Sequence, residues 1–168
     1  PNGEVFMKNR ETDEWLQQNQ KSTRNFIRKW GHFVKHDALL KPIVPPKYDV
    51  GFVISNCSHT LLYELEPWCS TIYVDWGHKA YITTEQENTL FDLNDRVKSR
   101  LEETPDNDII VEFDGQEITP EQFNYLAQLP EILSNDEELE VGEFNLGIFK
   151  IKVNKIKTYE EELIKCER

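Results

Sequence analysis

Asn56, Ser58, His59 and Thr60 follow directly on the apolar run Val50 to Ile54, and Asp75 closes the next such run, Thr71 to Val74. In a parallel α/β sheet, ligands gather beyond the carboxyl ends of the strands, where helix starts offer free backbone N–H groups to phosphate. An acidic side chain about 20 residues on, at the end of the second strand, can accept a hydrogen bond from a ribose hydroxyl. The interval from Asn56 to Asp75 suits that arrangement, and Asp114 ends a third candidate strand, Ile109 to Phe113, in the same way. The predicted chemistry is recognition of a nucleotide, nucleotide-sugar or related phosphorylated ligand, with Asn56, Ser58, His59 and Thr60 around phosphate and Asp75 at a sugar hydroxyl. Arg24 and Arg28 belong to a basic stripe with Lys21, His32 and Lys35 or His36, which could add charge-assisted hydrogen bonds.

The same residues have a plainer reading. Asn56 and Ser58 suit a turn and a helix cap, Asp75 and Asp114 suit strand ends, and the basic stripe suits a solvated face or a dock on the chain's own acidic surface. The glycines that let backbone wrap a pyrophosphate are missing, since neither G-x-G-x-x-G nor G-x-x-x-x-G-K-[ST] occurs.

Other chemistries have less to rest on. His32 and His36 stand four apart on a predicted helix, and Cys57, His59 and Cys69 surround the first strand-to-helix turn. Neither C-x-x-C nor H-E-x-x-H spacing is present, so no metal site is expected. Ser58 and His59 are sequence neighbours, which does not aim one at the other, and G-x-S-x-G is absent. No catalytic residue and no cofactor is identified. Three cysteines, Cys57, Cys69 and Cys166, do not make a disulfide framework and read as reduced thiols.

The elements that would hold these residues follow from hydrophobic spacing. Phe26, Ile27, Trp30, Phe33 and Val34 form one helical stripe, which Trp15 and Leu16 extend backwards. Thr12 or Asp13 would cap that helix, Pro42 would limit it, and Gly31 would lie inside it as a bend or a close contact. Pro42 to Lys47 reads as an extended connector. Val50 to Ile54, Thr60 to Leu65 and Thr71 to Val74 then read as strand, short helix, strand, a right-handed βαβ unit with strands covered on both faces. Leu90, Leu93, Val97 and Leu101 are spaced for a helix. Thr119-Pro120-Glu121-Gln122 is a capping-box helix start that carries Phe123, Leu126 and Leu129. Phe149, Ile151 and Val153 alternate with polar residues as in a half-solvated strand, and Thr158 to Cys166 reads as a terminal helix.

The expected fold is therefore α/β: one domain over residues 1–168, with a small mixed sheet holding at least one βαβ unit, an N-terminal amphipathic helix and a β-rich C-terminal section. Within it, 1–47 is a basic helix and Pro-rich connector, and 48–168 an acidic body. The chain carries 31 acidic and 19 basic residues, −12 overall. Residues 1–50 hold nine Lys/Arg and six Asp/Glu, so the acidity lies in the remainder. Ser99 to Glu143 has fourteen acidic residues and one basic residue, Arg100. Such a stretch repels polyanions, which excludes general binding to duplex nucleic acid. No apolar run nears the ~20 residues that cross a bilayer, and the first ten residues lack a signal-peptide core. The reading is a soluble, cytoplasmic protein without a membrane partner.

Asn25-Phe26-Ile27-Arg28-Lys29-Trp30-Gly31 resembles the segment near the end of the catalytic domain in family-2-type glycosyltransferases, an aromatic followed shortly by Lys-Trp-Gly. The resemblance covers seven residues and implies a neighbourhood that handles nucleotide-sugars. The nucleotide-binding strands and Asp-x-Asp motif of that family lie upstream of the segment, and only 24 residues precede it here, so no catalytic residue carries over. Two functions stay open: a module recognising a phosphorylated small ligand, and a non-catalytic interaction or assembly protein that uses its acidic face and exposed aromatics to bind another protein.

Overall fold

The computed structural model describes residues 12–32, 35–43 and 48–156. Helix α1 spans Asp13–Trp30. Thr12 caps it by accepting the Trp15 N–H at 3.2 Å, and Asp13 and Glu14 in the first turn with Arg28 and Lys29 in the last complement its dipole. The helix stops at Gly31, whose φ of 78° is a left-handed conformation that glycine adopts without a Cβ penalty, and whose N–H closes on Ile27 O at 2.7 Å. Gly31 is thus a terminator and not an interior bend, and Pro42 does not set the limit. The buried face also differs from the aromatic stripe: Ile27 and Arg28 are buried, whereas Trp15, Phe26 and Trp30 remain more than a third exposed. Phe33 and Val34 lie outside the described residues, as do the predicted terminal helix and the end of the connector. Two short strands follow, β1 (Lys35–His36) and β2 (Pro42–Ile43), paired antiparallel. His32 lies past the cap of α1 and His36 on β1, so neither is on a helix and the shared histidine face does not exist.

The body comprises β3 (Val50–Ser55), α2 (His59–Leu65), β4 (Thr71–Val74), α3 (His78–Glu85), α4 (Leu93–Arg96), β5 (Val97–Ser99), β6 (Ile109–Asp114), α5 (Pro120–Asn135), β7 (Gly142–Leu146) and β8 (Phe149–Val153). One six-stranded sheet runs β5-β4-β3-β6-β8-β7. Strands β5, β4, β3 and β6 are parallel, and the β7–β8 hairpin closes the far side antiparallel. The α/β class and the βαβ unit match the sequence expectation. The helix expected over residues 90–101 does not form as one piece: α4 is four residues long, and Val97–Ser99 instead pair with Ile72–Val74 of β4. Helix α5 starts on the predicted capping box, with Gln122 N–H donating to Thr119 Oγ1 and the Gln122 side chain accepting from Thr119 N–H.

Register explains the core. Phe52, Ile54, Ile72, Val74, Val111, Phe113 and Ile151 share one face of the sheet and are sealed beneath Leu61, Leu65, Tyr81, Leu126, Leu129 and Leu133. The opposite face is crossed by the return segment 100–108, where Asn107 donates to Asp49 Oδ1 at 2.7 Å and accepts from the Tyr73 hydroxyl. A Cβ at Gly51 would stand 2.2 Å from Asn107 Oδ1, so this close crossing requires glycine. Further along that face, Glu112, Lys150 and Lys152 are exposed.

Candidate functional site

From β3 the chain winds to β4 and β5 on one side, then returns through residues 100–108 to lay β6 on the other side of β3. The strand order reverses between β3 and β6, which is where open α/β sheets form a crevice beyond their carboxyl ends. Four strand ends meet there. Asn56, one residue past β3, has a φ of 51°, and its backbone N–H donates to Asp75 Oδ2 at 3.0 Å. Its side-chain Nδ2 donates to Asp114 Oδ2 at 3.1 Å. Gly115 N–H donates to Ser55 O at 2.8 Å, and a Cβ on Gly115 would lie 2.9 Å from Asn56 O. Arg100, the residue after β5, sets Nε 3.2 Å from Asp75 Oδ1, and its backbone N–H donates to Val74 O.

The chemistry of this edge follows from which atoms are spent. Asn56 commits its N–H and a side-chain donor to the two aspartates, so it braces them and does not point its backbone N–H at phosphate. Asp75 and Asp114 retain carboxylate lone pairs, and Asp75 is part-exposed. They suit hydroxyl or amine donors. The remaining N–H groups of Arg100 suit an anion.

Ser58, His59 and Thr60 do not join this cluster. Ser58 Oγ accepts the Leu61 N–H at 3.1 Å and caps α2. The His59 ring meets Tyr63 edge-on with centroids 5.1 Å apart, and Thr60 is exposed. These three, with Lys21, Arg24, Tyr63 and Phe123, line an open groove of about 1610 Å³ between α1, α2 and the start of α5. Gly115 borders that groove and also touches Asn56, so the groove and the carboxyl edge adjoin.

Arg28 belongs to neither place, which corrects its assignment to a ligand. It is 1% exposed and donates to Glu66 Oε2, Glu85 Oε1 and Asn25 Oδ1, each at 2.9 Å. Arg24 donates twice to Glu85, at 2.8 and 3.1 Å, and also borders the groove with its side chain 20% exposed. Arg96 donates to Glu66 Oε1 at 2.6 Å and to the Cys69 carbonyl. Glu66 and Glu85 stand at the ends of α2 and α3, where the helix dipoles are negative, so cations gather there for structural reasons. Burial opposes the charge on Arg28, yet the hydrogen bonds and charges of Glu66 and Glu85 raise its pKa above the ordinary guanidinium value. Burial, with Glu66 and Glu85 close by, likewise raises the Tyr81 phenol. Burial pushes the Cys57 thiol up to about 12, with Asp75 adding to the effect.

Arg100 is the site residue that spacing alone did not place. Its signal was present as the one cation in a stretch of fourteen acids, but that residue could be placed only once Val97–Ser99 was recognised as a strand. Among the described residues, no group of three or more His, Cys, Asp or Glu is arranged to hold a metal ion, and no helix is long and apolar enough to cross a membrane. No family model, curated protein or solved structure matches the chain.

Proposed function

We propose that the carboxyl edge of the parallel sheet binds a nucleotide or nucleotide-sugar, with Asp75 and Asp114 accepting hydroxyl hydrogen bonds and Arg100 engaging phosphate. The observation that carries this reading is the parallel pairing of Ile54 with Val74 beside the pairing of Ile54 with Phe113. Those pairings bring Asn56, Asp75 and Asp114 to one crevice at the point where the winding reverses. The choice of a sugar-linked ligand rests on the resemblance of residues 25–31 to family-2-type glycosyltransferases. In this chain that string forms the last turns and cap of α1 and docks the helix through Asn25 and Arg28. Ser58, His59 and Thr60 would meet the distal part of a long ligand that passes Gly115 into the groove.

Thermal shift against nucleotides and nucleotide-sugars tests the reading. A ligand at ~100 times its dissociation constant adds about 2.7 kcal/mol of stability. Asp75→Ala should abolish the shift while the protein still melts cooperatively. No shift across the whole panel favours the second reading, a protein-interaction module. That reading is supported by the open edge strand β7, all five residues of which are exposed, and by Glu102, Glu103 and Asp106 exposed on the return segment.

A further inference from the structure

We infer that Trp76 is the stacking platform for a nucleobase, which places the nucleoside end of the ligand over the end of β4. This inference rests on the reading of the carboxyl edge as a nucleotide site and goes beyond it by assigning the base.

Trp76 follows Asp75 directly, so its Cα lies ~3.8 Å from the Cα of the residue whose carboxylate is assigned to the sugar. It is 62% exposed, more than Trp15 or Trp30. Among the described residues its indole has no aromatic or cationic neighbour, whereas Trp30 is covered by Lys29 and Trp68 meets Phe123. An exposed, uncovered indole next in sequence to a hydroxyl acceptor is a planar apolar surface that lacks a planar partner. A nucleobase carries the complement, a π face for the indole. A bare sugar phosphate does not. Stacking on an aromatic plane tolerates any base, so the site should select for the presence of a base more than for its identity.

Calorimetric titration of AMP, UMP and ribose 5-phosphate into wild type, Trp76→Ala and Trp76→Phe decides the matter. The expected result is that both nucleotides bind wild type at least about fivefold more tightly than ribose 5-phosphate. Trp76→Ala should bring them down to the level of ribose 5-phosphate, and Trp76→Phe should restore most of the difference. Equal affinity of nucleotides and ribose 5-phosphate for wild type, or unchanged nucleotide binding in Trp76→Ala, overturns the assignment and leaves the nucleotide reading standing. Failure of all three compounds to bind removes both.

Discussion

Arg28 Nη2 lies 2.8 Å from Glu66 Oε2, with both side chains sealed from solvent. The pair joins α1 to the end of α2 across 38 residues of sequence, and Glu85 completes it from the end of α3. Taking one member from a buried ion pair is costly because the remaining charge has lost its solvent and its partner together. Arg28→Met should therefore lower unfolding free energy by about 3 kcal/mol in urea denaturation, the low end of such losses because Glu66 keeps Arg96 and Glu85 keeps Arg24. Adding Glu66→Gln and Glu85→Gln to Arg28→Met should deepen the loss, since it strips the partners from Arg96 and Arg24. A single-variant loss below about 1 kcal/mol would mean that the helix is not held by this pair.

Glu85 sets an acid limit on the same contact. Burial alone would raise its carboxyl, but hydrogen bonds from Arg24, Asn88 and Arg28 outweigh burial and hold it below the ordinary value of 4.5. A carboxylate depressed in the folded state contributes stability that is present above its unfolded value and is lost as pH falls through the folded one. Stability should thus be level through neutral pH and decline below about 4.5. Glu85→Gln should flatten that decline while lowering stability at pH 7. An acid profile identical to wild type in Glu85→Gln would show that other carboxylates govern it.

How much of this was legible in sequence depends on whether the cause is local. Val50–Ile54 and Thr71–Val74 announce themselves because strands covered on both faces have no polar alternation. Thr119 and Gln122 announce α5 because the capping box is complete within four residues. The end of α1 was hidden because Phe33 and Val34 continue the 3.6-residue rhythm past Gly31, and a left-handed glycine terminator leaves no mark on that rhythm. Val97 was hidden for the reverse reason: Leu93, Val97 and Leu101 fit a helix, and only pairing with Ile72 makes Val97 a strand residue. The ionic role of Arg28 was hidden because its charged partners stand 38 and 57 residues away, and only the neutral Asn25 is local. The carboxyl edge was half legible. Asn56, Asp75 and Asp114 followed from strand ends, but Arg100 needed β5.

The left-handed Asn56 separates a conformational role from a bracing one. At φ 51° a Cβ-bearing residue other than Asn or Asp is strained by roughly 1–2 kcal/mol, and glycine is not. Asn56→Ala should lose both that conformational ease and the hydrogen bond to Asp114, and Asn56→Gly only the bond. The expected order of urea midpoints is wild type, then Gly, then Ala. Equal midpoints for the two variants would mean that the backbone relaxes out of this conformation.

The buried thiols give a check on packing that needs no ligand. Cys57 and Cys69 are 4% and 6% exposed, and burial holds both thiols above their ordinary value, Cys57 at about 12. Thiolate is the reactive form, so iodoacetamide at pH 8 should label both slowly in the native protein and quickly after unfolding, read by peptide mass spectrometry. Fast native labelling of Cys57 would show that the loop around Asn56 opens readily, since Asp75 that faces Cys57 also holds the Asn56 N–H.

Asp75 and Arg100 share one contact but should answer to different parts of a ligand. A guanidinium engages phosphate, and a carboxylate engages sugar hydroxyls, so comparing AMP with adenosine separates them. Arg100→Gln removes a charge-assisted hydrogen bond of about 1.5–3 kcal/mol, enough to weaken AMP by roughly tenfold or more, and should leave adenosine nearly unchanged. Asp75→Asn keeps an oxygen for the Asn56 N–H but loses the carboxylate charge, and should weaken AMP and adenosine alike. The AMP-to-adenosine ratio would then collapse in Arg100→Gln and persist in Asp75→Asn. Titration of both ligands at constant ionic strength gives the ratio. A ratio unchanged in Arg100→Gln would take the phosphate away from β5 and point to the groove beside Lys21 and Arg24, which Lys21→Gln would then test.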